Sequence, residues 1–189
     1  MGVYLDVPFA SQLNNGAGMD DPTGCWYCSV CMIGWFYEVG PRQGVPELYN
    51  KKKHGGHLPI GGSSATLVLK RAGVDDISGG EKLLAEREGL EPVPKLTEDF
   101  SLADLEKLLR SFGPIYFAWF KTHGGSTYGH ISVLIGTNDV SGNVVYHDPE
   151  NAPNSLMSLK EFRKLRMRGI YDMLRRKGVV SSSVRVRAQ

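Results

Sequence analysis

No stretch of this sequence approaches the roughly 18 consecutive apolar residues that a membrane-spanning helix needs, so no span is expected. The opening MGVYLDVPF lacks the charged and apolar regions of a secretory signal, and Asp6 stands where an N-myristoylation pattern has Ser or Thr. The expectation is a protein that is cytoplasmic in the producing cell or exported without a cleavable leader. Neither sign of charge is in surplus. The 22 Lys and Arg against 20 Asp and Glu leave a net charge of +2, too little for a field that would gather nucleic acid or a membrane surface. Internal repeats and low-complexity tracts are missing as well, so the reading is one domain over 1–189; a monomer with no cofactor is expected. Cysteine is scarce. There are three, all within the seven residues 25–31, an odd and clustered set that makes a poor disulfide framework and points to a reducing compartment or a functional thiol.

What is present is an ordinary globular composition, 41% hydrophobic and 22% charged, in a chain long enough to bury roughly 70% of its unfolded surface without a metal or disulfide staple. VYLDVPFASQ (3–12) reads as an extended segment and the Gly-, Asn-, Asp- and Pro-rich 13–24 as a loop. From Cys25 to Tyr37 apolar residues run without a breaker, which predicts a buried helix. A second helix is expected over about 64–72, and a helical turn over 81–88. Ser101 and Asp104 resemble a capping box opening a helix that Gly113-Pro114 ends. After Pro114 the period changes. PIYFAWFK (114–121), HISVLIG (130–136) and NVVYHDP (143–149) are rich in β-branched and aromatic residues and read as strands, the last two as a hairpin. A basic helix over 158–167 and an alternating edge strand over 179–188 follow. Ten basic residues against two acidic ones between Lys160 and Arg187 read as a solvated face and terminus. Helices first and an antiparallel sheet second make the class α+β.

The three thiols admit several chemistries. Cys25-x-x-Cys28-x-x-Cys31 has iron–sulfur spacing, but that pattern needs a fourth cysteine soon after. Cys28 and Cys31 with His54 and His57 would suit a zinc site of two sulfurs and two nitrogens. On one helix, however, Cys25 and Cys31 stand about 240° apart, so the three sulfurs cannot converge on one ion. Cys25-Trp26-Tyr27-Cys28 has the spacing of a redox pair but lacks the βαβ setting. Cys28 and Cys31 read more simply as small apolar residues inside the helix. Cys25 differs, because it follows Gly24 at the helix start, where unpaired N–H groups and the helix dipole favour an anion. A nucleophilic thiolate there needs an imidazole and a third group to orient it.

Five histidines could serve. His54 and His57, in KKKHGGHLPIGG, read as exposed loop residues, and His123, in KTHGGSTYG, as a loop residue that could line a cleft. His147 is one strand position from Asp148 and so points to the opposite face. His130 opens a strand directly after Gly129. If the hairpin turns near Asp139 to Val140, Asp148 or Pro149 lies opposite His130, close enough for a carboxylate to fix the imidazole tautomer.

A thiol at a helix start, a distant strand histidine and an acid on the adjoining strand together resemble the papain-like cysteine peptidases. VPFASQ, then CW leading a helix with Met32 seven residues on, then GPIYFAW, GHISVLIG and VVYHDP are similar to the effector proteases of plant-associated bacteria and their bacteriocin-leader peptidase relatives. The resemblance spans about 5–150. It implies that Cys25 is the nucleophile, His130 the general base and acid, Asp148 the orienting residue, and Gln12 a side-chain donor to the oxyanion beside the Cys25 N–H. Twelve residues separate Gln12 from Cys25, more than the family's usual few, so NNGAGMDDPT must loop out for Gln12 to reach. The implied activity is hydrolysis of a peptide or isopeptide bond through an acyl-thioester, on a protein or peptide substrate, by an exported bacterial effector. An amidase or acyl transferase with the same residues, or a non-catalytic zinc-binding module, are the alternatives.

Overall fold

A computed structural model of the chain describes residues 2–13, 24–37, 80–179 and 184. The expected helix over 64–72, His54 and His57 lie outside the described residues, as does nearly all of the expected edge strand. The elements run α1 (Cys25–Phe36), α2 (Gly80–Glu88), β1 (Leu90–Pro92), α3 (Leu102–Phe112), β2 (Ile115–His123), β3 (Ser126–Asn138), β4 (Asn143–His147), β5 (Ser155–Ser158), α4 (Leu159–Leu165) and β6 (Met173–Arg176). The six strands form one sheet in the order β1-β6-β2-β3-β4-β5, antiparallel at every junction. The class is α+β, with the cysteine-bearing helix α1 packed on β3 and β2.

Local chemistry sets these elements. Helix α1 is apolar almost all round and buries Trp26, Cys28, Val30, Cys31, Met32 and Ile33, as a helix inserted into a core must. Helix α3 carries Leu105, Leu108 and Leu109 on its buried face, the i, i+3, i+4 stripe of an amphipathic helix. Its capping box is complete: Asp104 N–H donates to Ser101 Oγ at 3.2 Å and Ser101 N–H to Asp104 Oδ2 at 2.8 Å. Ser158 and Glu161 build a second box that opens α4. The basic helix is shorter than expected, and α2 is a full helix rather than a turn.

The segment KTHGGSTYG, expected as a loop, is a hairpin. Gly124 and Gly125 have φ of 58° and 81°, the left-handed pair that a tight two-residue turn between twisted strands requires. His123 pairs with Ser126 at the tip, so His123 is an exposed strand end and His130 is the fifth residue of β3, not its first. Three strands had no expectation at all: β1 and β5 are three and four residues long, and β6 is MLRR, too short and mixed to show a period.

Residues 3–5 run along β3. Leu5 N–H donates to Ile135 O and Thr137 N–H to Val3 O, each at 2.8 Å. They use the part of β3 beyond Leu134, where β2 has already ended at Ile115. Gly136 is needed for this approach, since a Cβ there would lie 2.6 Å from Val3 O. The core between sheet and helices includes Leu5, Met32, Ile33, Phe100, Leu105, Leu109, Phe117, Leu134 and Phe162.

Candidate active site

The β2–β3 register sets Trp119 beside His130 and Lys121 beside Tyr128, and paired residues share a sheet face. The β3–β4 register was expected to place Asp148 or Pro149 across from His130; it does not. Val133 pairs with His147 and Leu134 with Tyr146, while Gly136 pairs with Val145 after a bulge at Ile135. Strand β4 stops at His147, and continuation of its register would put Glu150 across from His130. Asp148 is two residues away on the same face, a diagonal neighbour rather than an opposite one. It reaches His130 nonetheless: His130 Nε2 lies 2.6 Å from Asp148 Oδ1. Because a carboxylate only accepts, Nε2 carries the proton and donates.

With Nε2 occupied, Nδ1 is the ring nitrogen left for sulfur, and the His130 ring lies within hydrogen-bonding reach of Cys25. Cys25 begins α1 behind the N-cap Gly24, which has no side chain to accept from the first turn. It is partly exposed, whereas Cys28 and Cys31 are buried; none of the three is in a disulfide. His130 is 2% exposed and Asp148 1%. Trp119 and Tyr128 stand edge-on to the imidazole, with centroids 5.7 and 6.2 Å away. Trp119 Nε1–H donates to Ser132 Oγ at 3.0 Å. Trp26 and Trp119 belong to the core.

Electrostatics follow from this packing. Burial pushes the His130 pKa down, but the hydrogen bonds and charges of Asp148 and Cys25 outweigh it and raise the value to about 9. Burial pushes the Asp148 carboxyl up, while His130 and Lys121 bring it below the ordinary carboxylate range. His147, on the opposite face, is a different case. Its Nδ1 accepts from Asn154 N–H at 3.1 Å, so its Nε2 carries the proton and donates to Val7 O at 2.8 Å. Burial holds this ring's pKa below the usual histidine range despite that bond.

Gln12 is 1% exposed. Its backbone N–H donates to Pro149 O at 2.9 Å, which sets it beside the residue that follows Asp148. The intervening 14–23 lie outside the described residues. Lys121 and Glu150 were not anticipated. Lys121 Nζ lies 2.7 Å from Asp148 Oδ2 and 2.8 Å from Glu150 Oε2. The available signal was a lone charge ending the alternating apolar face Phe117, Trp119, Lys121. His130, Asp148 and Glu150 hold donor atoms close enough to share a cation, but the Lys121 ammonium already contacts both carboxylates, so the donor set does not suit a metal.

The family model described as papain-like cysteine protease AvrRpt2 matches residues 2–167. The chain belongs to this family. It is therefore a cysteine protease, a hydrolase with protein as its class of substrate, and the α+β architecture with a cysteine-bearing helix on an antiparallel sheet agrees with a papain-like fold. The AvrRpt2 family match covers Gln12, Cys25, His130 and Asp148 and ends before β6. Among the described residues, no helix is long and apolar enough to cross a membrane.

Proposed function

We propose that the chain hydrolyses a peptide or isopeptide bond with Cys25 as nucleophile, His130 as general base and acid, and Asp148 as the residue that orients His130. The observation that carries this reading is a single imidazole that donates to a buried carboxylate and lies within reach of a helix-start sulfur. His130 Nδ1 takes the Cys25 proton, and the thiolate attacks the carbonyl carbon. The oxyanion is met by the Cys25 N–H and the Gln12 side chain. Collapse breaks the C–N bond, and the imidazolium protonates the departing amine. His130 then deprotonates a water, which attacks the thioester; the acid leaves and the thiol is restored. Asp148 keeps the proton on Nε2, so Nδ1 remains the working nitrogen throughout. The unit is a single domain acting as a monomer, exported as a bacterial effector onto a protein of another cell.

A thiol-directed activity probe should label the wild type on Cys25 and fail to label Cys25→Ala. His130→Ala should abolish the appearance of new N-termini when the protein is added to candidate host extracts. Labelling on Cys28 or Cys31, or equal turnover by His130→Ala, would overturn the assignment.

A further inference from the structure

The Asp148 carboxylate has two oxygens, and both are committed. Oδ1 faces His130 Nε2 and also accepts from Glu150 N–H at 3.0 Å. Oδ2 is 2.7 Å from Lys121 Nζ. Lys121 Nζ is also held by Glu150 Oε2 at 2.8 Å, and that oxygen accepts from the Tyr128 hydroxyl at 2.6 Å. The Lys121 side chain is only 12% exposed, with its ammonium 6.0 Å from the centre of the Trp119 ring. A lysine buried to this degree, across two carboxylates and beside an imidazole, is a built arrangement rather than a surface ion pair.

We propose that Lys121 is a positioning residue for the protease reaction, fixing the Asp148 carboxylate toward His130, and that Glu150 counterbalances Lys121 so that Asp148 keeps its hold on the imidazolium. This rests on the Cys25–His130–Asp148 reading. Two effects follow from one ammonium. Geometrically, Lys121 pins Oδ2, which leaves Oδ1 aimed at Nε2. Electrostatically, its positive charge cancels part of the negative charge that Asp148 and Glu150 place beside the imidazole, and so weakens their pull on its proton. Among the described residues, the ionisable groups facing His130 and Asp148 are Cys25 from α1, Lys121 from β2, Tyr128 from β3, Tyr146 from β4, and Glu150 beyond it. The two tyrosines are held neutral, since burial and the neighbouring carboxylate charges raise both. Lys121 and Glu150 are therefore the charges that trim the pair.

Opposite charges imply opposite consequences. Without Lys121, Asp148 holds the imidazolium proton more tightly; without Glu150, Lys121 turns wholly to Asp148 and the imidazolium is held less tightly. The test is the rate of Cys25 modification by a dipeptidyl vinyl sulfone, whose adduct takes a proton from His130, followed from pH 6 to 11 on the full chain. Ring-labelled histidine NMR gives the His130 midpoint alongside. Lys121→Met should move the alkaline limb and the midpoint up by roughly half a unit to one unit, Glu150→Gln should move both down, and Lys121→Arg should restore wild-type behaviour. Unmoved limbs, or shifts of the same sign in Lys121→Met and Glu150→Gln, overturn the inference. If Lys121→Met does not fold, Glu150→Gln decides alone, a downward shift supporting it and none overturning it. Failure of the underlying reading looks different: the probe would then modify Cys25→Ala as readily as wild type.

Discussion

Replacing Asp148 with Asn changes little volume but removes a charge whose oxygen lies 2.6 Å from His130 Nε2. With charge centres about 4 Å apart and an effective dielectric near 20, the lost attraction is about 4 kcal/mol, close to three pKa units. His130 stands at about 9 because Asp148 and Cys25 overcome the opposing effect of burial. Burial remains in the variant, so the midpoint should fall to about 6. At pH 8 the imidazolium fraction would drop from about nine-tenths to about one-hundredth. Asn also cannot serve both neighbours: turned to accept from His130, it sets an amide N–H against the Lys121 ammonium. The direct assay is NMR of ring-labelled histidine, with the His130 resonance assigned by its loss in His130→Ala. Stability gives a second readout. A folded-state pKa above the unfolded value of about 6.5 stabilises fully below pH 6.5, and that contribution is lost as pH rises through about 9. At about 1.4 kcal/mol per unit it is on the order of 3 kcal/mol. Wild type should lose that much more stability than Asp148→Asn between pH 6 and 10 in chemical denaturation. A His130 midpoint that stays near 9 or rises in Asp148→Asn would refute the reasoning.

Two further outcomes test neighbouring parts of the site. Gln12→Ala should lower kcat by roughly 10²- to 10³-fold, the loss seen when one oxyanion donor is removed, while leaving the His130 midpoint in place; unchanged kcat would remove Gln12 from the mechanism. His147 has its pKa lowered by burial, so the stability it confers is present above about 6.5 and is lost as pH falls below that value. Residues 5–12 should therefore exchange amide hydrogens faster at pH 5 than at pH 7 after correction for intrinsic rates, and His147→Gln, which keeps a donor and an acceptor but does not titrate, should abolish the difference.

The legible parts of the fold were those carried by local chemistry. The run from Trp26 to Phe36 could only be a buried helix. Ser101 and Asp104 announced α3 through a capping pair that needs no tertiary contact. The strands of the central hairpin were visible from their β-branched and aromatic residues. Register was not, because it depends on where an extra residue is accommodated, and nothing in HISVLIG marks Ile135 as that residue. Strand β6 was hidden for a related reason: Met173 and Leu174 are buried by pairing with β2, although MLRR alone has no strand signature. The same limit explains Lys121. A lysine at the end of an apolar strand ordinarily reaches water, and only the arrival of Asp148 and Glu150 from a distant turn makes it part of the site.

The bulge at Ile135 has a consequence that reaches the chemistry. Beyond it, β3 and β4 pair odd positions with even ones, as in Gly136 with Val145 and Thr137 with Val144. On the His130 side they pair like with like, as in Val133 with His147. Side chains alternate faces along a strand, so a shift of one residue exchanges the two sets completely. Without the extra residue, His130 would share its face with His147 and Pro149; with it, the face carries Asp148 and Glu150. The same shift sends His147 to the other side, where it holds Val7 and the segment leading to Gln12. One inserted residue thus gives adjacent side chains separate tasks, the acid to steady an imidazole and the histidine to anchor the chain that bears Gln12. A bulge that bends a strand beside a working site is a familiar way of aiming side chains; here its main effect is to choose which of two neighbours the imidazole meets.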